Sequence, residues 1–296
     1  IKDEEITLFS PNNVPGLYEA FGLPEFDDLY IKYENDKKIP KKKIKMQDLF
    51  MDLLKERAET GRIYIMNIDH CNTHSSFKDK VYMSNLCQEI TLPTKPIQHI
   101  DDKNGEIALC ILSAVNLGLI RDKDDLEELC DLSVRALDEI IDYQEYPVEA
   151  ARISTQARRS LGIGYIGLAH YLAKHKVKYD DKQALKVVDE ITEAFQYYLL
   201  KASNNLAKEK GQCKDFKKTK YSDGILPIDT YKKEVDEIVS RKLSYKWEEL
   251  RKDIKEFGLR HSTLSAQMPS ESSSVVCNAT NGIEPPRDYL SVKKSK

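Results

Sequence analysis

Ser84-Asn85-Leu86-Cys87-Gln88-Glu89-Ile90 sets an amide, a thiol and a carboxylate at alternate positions. If the segment is extended, the two-residue period puts Asn85, Cys87 and Glu89 on one face and Leu86, Gln88 and Ile90 on the other. Such a face suits a reaction that uses sulfur as its reagent, an amide to orient the substrate and a carboxylate to take a proton. A strand whose polar face meets solvent fits the same pattern. Cys110 lies in Ala108-Leu109-Cys110-Ile111-Leu112, where a free cysteine ordinarily packs as a small apolar side chain. On a strand neighbouring Cys87 it would instead serve as a redox partner. Residues 269–274, rich in hydroxyls, run into Val275-Val276. A loop of this kind that opens a helix turns backbone N–H groups outward and holds phosphate or diphosphate; a Ser-rich helix cap is the plainer reading.

Three further motifs carry weaker signals. Gly162-Ile163-Gly164-Tyr165-Ile166-Gly167 matches the dinucleotide fingerprint, but Thr155-Gln156-Ala157-Arg158-Arg159-Ser160 before it reads as polar helix where that fingerprint needs a strand. An NADH-binding oxidoreductase is the rival enzyme reading it would support. His70-Cys71-Asn72-Thr73-His74 offers ligand types, yet no second cluster completes a zinc set, so a polar turn is expected there. Asn278-Ala279-Thr280 matches a glycosylation sequon in a chain with no sign of secretion.

The elements that must position these groups follow from periodicity. Residues 47–60 carry Leu49, Phe50, Leu53 and Leu54 at helical spacing, with Gly61 placed to end the helix. Residues 63–68, 85–92 and 107–117 read as strands, the last two separated by Pro93, Pro96 and a turn cluster at 101–105. Helices are expected at 124–143, at 182–210 closed by Gly211, at 229–239 and at 245–257. A strand at 262–267 and a tight Asn281-Gly282 turn complete the pattern. Strands alternating with helices argue for an α/β domain, incomplete by itself.

The chain has 296 residues, 41% apolar and 32% charged, enough for a substantial core. Forty-six basic against 49 acidic side chains leave a net charge of −3, which gives no global attraction to nucleic acid or to a membrane surface. The longest mostly apolar run, 107–120, includes Ser113 and Asn116 and is too short and polar to cross a bilayer. Six cysteines without a C-x-x-C pair fit a reducing cytoplasm. The opening on Ile1 and the basic run Lys293-Lys294-Ser295-Lys296 suggest a piece of a longer polypeptide.

The motifs taken together resemble the large catalytic (alpha) subunit of class I ribonucleotide reductase. The matching stretches are Ile6-Thr7-Leu8-Phe9-Ser10-Pro11, Thr60-Gly61-Arg62-Ile63-Tyr64-Ile65, Asp69-His70-Cys71-Asn72-Thr73-His74 and Ser84-Asn85-Leu86-Cys87. Leu92-Pro93-Thr94-Lys95-Pro96, Asn104-Gly105-Glu106-Ile107-Ala108-Leu109-Cys110, Leu161-Gly162-Ile163-Gly164, Met268-Pro269-Ser270-Glu271 and 278–286 continue the match in the same order. Asp288 departs from it, at a position where relatives usually have glycine.

The resemblance implies an α/β fold: part of a ten-stranded α/β barrel with substantial helical content, formed by residues 1–296 as one domain, with the reactive cysteine on a loop inside it. It implies that Cys87 becomes a thiyl radical and removes the ribose 3′ hydrogen, that Glu89 takes the 3′-hydroxyl proton, and that Asn85 orients sugar and carboxylate. Cys110 matches one of two redox-active cysteines that end as a disulfide, and Ser270, Glu271, Ser272 and Ser273 match the segment that holds the substrate diphosphate. The glycine triplet then belongs to the barrel. No metal or cofactor is expected on this chain. The radical would come from a metal-containing small (beta) subunit, and ATP or deoxynucleotide effectors would bind segments outside this sequence, as would the regulatory domain and the C-terminal tail. Expected partners are a ribonucleoside diphosphate, the small subunit, thioredoxin or glutaredoxin and a second large subunit, with no nucleic acid and no membrane. The isolated chain is expected to be inactive. The alternative is a non-catalytic piece of a split subunit that acts only after assembly.

Overall fold

The computed structural model describes residues 4–61 and 63–290, so the basic run at 293–296 lies outside the described residues. The chain divides into two compact units, Ile1–Thr73 and His74–Lys296.

In the first unit β1 (Glu5–Phe9) pairs antiparallel with β2 (Lys41–Lys45), placing Ile6 opposite Ile44. Between them runs α1 (Glu25–Asn35), with Glu25, Asp27 and Asp28 in its first turn, where the helix dipole favours negative charge. At its other end the Lys41 ammonium donates to the carbonyls of Glu34 at 2.5 Å and Asp36 at 2.7 Å. The helix is fastened to β1 by Tyr30, whose hydroxyl donates to the Thr7 carbonyl at 3.0 Å and accepts from the Thr7 N–H at 2.7 Å. Next comes α2 (Met46–Thr60), ended as expected by Gly61 with φ 66°. The strand expected at 63–68 is absent. The Asn67 carbonyl accepts the Cys71 N–H at 3.0 Å, and the chain turns helical into α3 (Ile68–His74). The polar turn expected around His70 and His74 is therefore helix.

The second unit is built around a parallel pair. The strand β3 (Ile111–Asn116) is followed by α4 (Asp125–Tyr143), α5 (Glu149–Arg158) and β4 (Leu161–Ile166), with Ile111 opposite Leu161 and Asn116 opposite Ile166. All six residues of β4 are buried. On its other side, residues 263–266 run alongside: the Leu161 and Ile163 N–H groups donate to the carbonyls of Thr263 and Leu264, at 3.1 and 2.8 Å. Glycine makes this proximity feasible. A Cβ on Gly164 would lie 2.4 Å from the Ala266 carbonyl oxygen, and one on Gly162 2.5 Å from Leu112. The first two glycines of the triplet thus sit inside a strand that follows a helix, not in a dinucleotide-binding loop.

Helices α6 (Leu168–Lys174), α7 (Lys182–Lys210), α8 (Pro227–Thr230), α9 (Trp247–Phe257) and α10 (Glu271–Val276) complete the unit. Leu126, Val134 and Ile141 of α4 meet Leu199 and Leu206 of α7 in the core, as the apolar stripes predict. The helix expected at 229–239 breaks into α8 and a 3-10 turn at Lys233–Glu237. Asp229 accepts the Leu226 N–H at 2.7 Å and is held by Arg251, which fixes a short capped turn at that point. The strand expected at 107–117 is shortened to β3, since the Ile107 carbonyl is taken by the Ser154 hydroxyl at 2.5 Å. Among the described residues no helix is long and apolar enough to cross a membrane.

Asp138 of α4 is fully buried and meets Arg159 at 2.6 Å, Arg260 at 3.1 Å and His261 at 3.2 Å. Burial works against its charge, but the hydrogen bonds from His261 and Arg159 outweigh it and hold the carboxyl below the usual range. Burial pushes His261 down to about 4 despite Asp138. Since the unfolded imidazole takes up a proton near pH 6.5 and the folded one only near 4, stability falls on acidification through that window. Chemical denaturation at a series of pH values should show this slope, and His261→Gln should flatten it. Gly164→Ala should cost about 1–3 kcal/mol through the clash with the 263–266 segment, read as a lowered denaturation midpoint.

Candidate functional site

The segment from Phe77 to Cys110 has almost no ladder hydrogen bonding and is held by side chains. Two isolated bridges touch it, Phe77 with Thr219 at its start and Lys95 with Glu106 within it. Arg158, buried at the end of α5, donates to Glu106 at 2.9 Å and to Asp79 at 2.6 Å, while Lys95 meets Glu106 at 2.8 Å. Burial opposes ionisation of Glu106, but the Lys95 hydrogen bond and the Arg158 charge prevail and hold its carboxyl below the ordinary range. On the apolar side Phe77, Ile90, Leu92 and Ala266 form a small cluster against which Ala108 and Cys110 pack.

Within this segment the strand expected at 85–92 is a turn. The Asn85 carbonyl accepts the Gln88 N–H at 3.2 Å, its N–H donates to the Ile90 carbonyl at 3.4 Å, and its side-chain oxygen accepts the Ile90 N–H at 3.3 Å. Gln88 lies in the left-handed region with φ 59°. That reversal breaks the two-residue alternation, so a shared strand face is not what groups Asn85, Cys87 and Glu89. Asn85 and Cys87 are exposed on the turn, whereas Glu89 is half-buried. Asn85 thus does two jobs from one position: its backbone and its amide oxygen staple the turn that carries the thiol outward.

Glu89 alone among the sequence-predicted site residues lines a cavity of about 240 Å³, shared with Ser75, Thr91, Gln196, Lys220 and Thr263. Its Oε2 is buried and has no hydrogen-bond partner. Its charge also reaches Cys110: burial pushes that thiol up to about 11, and Glu89 adds to the shift. Cys110 directly precedes β3, and its Sγ would lie 3.8 Å from a Cβ on Gly162.

The hydroxyl-rich segment does open a helix. Ser270, buried, precedes α10, and its N–H is taken by the Asn281 side chain at 2.8 Å. Glu271, Ser272 and Ser273 are exposed in the first turn, ahead of the first intrahelical bond from Ser274 N–H to the Ser270 carbonyl. The far end of α10 and the following turn are tied to the carboxyl ends of the strand pair. Asn116 donates to the Cys277 carbonyl at 3.4 Å, and Gly167 N–H to the Thr280 carbonyl at 2.8 Å. Ligands of α/β sheets bind at that end of the strands. Sequence reasoning missed Arg158, Asp79 and the cavity behind Glu89. The one signal available was the Arg158-Arg159 pair closing a helix, with no partner visible nearby.

The sequence model of the ribonucleotide reductase barrel domain family matches residues 1–296. The chain is 61% identical over 301 residues to the ribonucleoside-diphosphate reductase subunit alpha of Haemophilus influenzae, covering 100% of this chain and 40% of that protein. It is 58% identical to the ribonucleoside-diphosphate reductase 1 subunit alpha of Escherichia coli, with the same 100% and 40% coverage. The phage T4 subunit alpha is 45% identical over 303 residues, covering 100% of this chain and 39% of that protein. The chain therefore spans about two fifths of the length of these curated relatives.

Two outcomes follow from the turn geometry. Alkylation of the native chain followed by mass spectrometry should modify the exposed Cys87 and Cys277 first, Cys110 more slowly, and the buried Cys130 and Cys213 last. Gln88→Gly should leave the Cys87 rate unchanged, whereas Gln88→Val, β-branched at positive φ, should cost about 1–3 kcal/mol of local strain and alter it.

Proposed function

Because the chain belongs to the ribonucleotide reductase barrel domain family, we propose that it supplies the active-site part of the barrel in a class I ribonucleoside-diphosphate reductase large subunit. The full protein would reduce ribonucleoside diphosphates to 2′-deoxyribonucleoside diphosphates. The observation that carries the reading is the Asn85-stapled turn, which lifts an exposed Cys87 beside a half-buried Glu89 whose charge reaches Cys110.

In this reading Cys87, as a thiyl radical, takes the hydrogen from the ribose 3′ carbon: an S–H bond forms as the C–H bond breaks. Glu89 accepts the 3′-hydroxyl proton, which helps the 2′-hydroxyl leave as water. Cys110 and a second cysteine from another part of the subunit supply two electrons and two protons and end as a disulfide. The raised pKa of Cys110 keeps it a protonated thiol, which suits a donor of hydrogen. Ser270, Glu271, Ser272 and Ser273 hold the substrate diphosphate through the start of α10. The radical comes from a metal-containing small subunit. Thioredoxin or glutaredoxin re-reduces the disulfide, effectors bind other segments, and the large subunit works as a dimer in the cytoplasm.

The test is a chimaera in which this chain replaces the matching segment of the Haemophilus influenzae subunit, assayed with the small subunit for deoxynucleotide formation. Cys87→Ser should reduce turnover to background. Cys110→Ser should block multiple turnover with a dithiol reductant, and Cys130→Ser, in the core between α4 and α7, should change the rate less than about twofold. Turnover surviving Cys87→Ser rejects the assignment.

A further inference from the structure

The cavity behind the Cys87 turn contains two buried polar atoms with no hydrogen-bond partner, Glu89 Oε2 and Ser75 Oγ. A carboxylate oxygen removed from bulk water and left without a donor costs several kcal/mol, so native structures satisfy such atoms from protein or from bound water. The cavity suits water. Its about 240 Å³ holds several molecules, and Thr91, Gln196, Lys220 and Thr263 line it with donors and acceptors. One wall is already organised, with the Ser265 hydroxyl donating to Gln196 Oε1 at 2.7 Å. The buried Phe77, Ile90 and Leu226 complete the lining with apolar surface. The exposed His74, Ile225 and Ser265 form its rim. An apolar ligand would leave both orphan oxygens unmet, and an anion would face the Glu89 carboxylate. Water donates to the carboxylate and to the hydroxyl alike, and its second hydrogen reaches a second acceptor.

We infer that this cavity is a built hydration site in which bound water, anchored by the Ser75 hydroxyl, donates to Glu89 Oε2 and fixes the carboxylate from behind, making Ser75 a positioning residue. The catalytic consequence rests on the proposed role of Glu89 as proton acceptor; the hydration site itself does not. Cys87 is absent from the lining, so the water contacts the base and not the thiol.

A crystal structure of the full-length subunit carrying this chain should show water within hydrogen-bond distance of both oxygens, and Ser75→Ala should remove or displace it. In the assembled enzyme Ser75→Ala should lower kcat about ten- to hundredfold, the worth of a hydrogen bond to a charged group, with KM for the nucleoside diphosphate unchanged. Ser75→Thr, which keeps the hydroxyl, should restore most of kcat. A dry cavity, a side chain filling it, or equal rates for Ser75→Ala and the unsubstituted enzyme overturns the inference. A rise in KM alone also overturns it, because the cavity would then bind substrate. Activity surviving Glu89→Gln overturns the reductase role of Glu89 instead, and leaves the water density as a separate result.

Discussion

The loop segment that carries the candidate thiol depends on one buried cation. Arg158 sits at the end of α5 with its side chain 3% exposed, too buried to remain charged unless carboxylates come to it. Glu106 and Asp79 do so, at 2.8 and 2.6 Å, with Lys95 closing the cluster through Glu106. Burial opposes the charge on Arg158, but the two acids outweigh it and its pKa is raised. Removing Glu106 would take from Arg158 its most buried carboxylate partner, a loss of up to about 3–5 kcal/mol. For a helix or a strand such a cluster would be one support among many. For residues 77–110, which lack a ladder of their own, it replaces the ladder. The turn bearing Cys87 is therefore positioned by electrostatics at its base and by the Phe77, Ile90 and Leu92 cluster at its flank.

The next residue directs a second cluster the other way. Arg159 ends α5 in the left-handed region, φ 48°, and bonds Asp138 and Asp142 of α4. Consecutive arginines thus face opposite layers: Arg158 grips the loop segment, and Arg159 grips the helix layer beneath the strands. Left-handed geometry costs a non-glycine residue about 1 kcal/mol, which three charge-assisted hydrogen bonds to Asp138 and Asp142 offset. The reversal also turns the chain directly into β4, so α5 and the central strand are joined by a corner with no loop to spare. The same Asp138 collects Arg260 and His261 from the segment before residues 263–266, which locks the third extended segment against β4.

This arrangement explains what could be read from residues alone. The helices α2, α4, α7 and α9 carry apolar stripes at a period of 3.6, and glycines mark the ends of α2 and α7, so local pattern and final structure coincide. The β1–β2 pair was not legible, because Lys41-Lys42-Lys43-Ile44-Lys45 holds one apolar residue and reads as a solvated charge run until Ile6 is set opposite Ile44. The stretch around Cys87 was misleading for a different reason. Polar and apolar residues alternate equally well along a strand and around a turn, and nothing in a glutamine announces φ 59°. Residue types suggested the thiol, the carboxylate and the serine segment. Their support did not show, since Arg158 meets partners 52 and 79 positions away in sequence.

The strand pair also sets the scale on which those groups can cooperate. Cys110 stands immediately before β3 and four residues before Ala114, the partner of Gly164, which places it about 13 Å from that level at 3.3 Å per residue. A Cβ on Gly164 would meet the Met268 sulfur at 3.0 Å, and Ser270 follows Met268 by two residues. The thiol end and the α10 end of the site are thus separated by roughly the length of the intervening strand. Glycine at 164 is what lets residues 263–268 lie close enough to β4 for this to hold. A side chain there would push the segment outward and carry the start of α10 with it. The fold therefore couples the two ends of the site through backbone packing, while the Arg158 cluster independently governs the Cys87 turn.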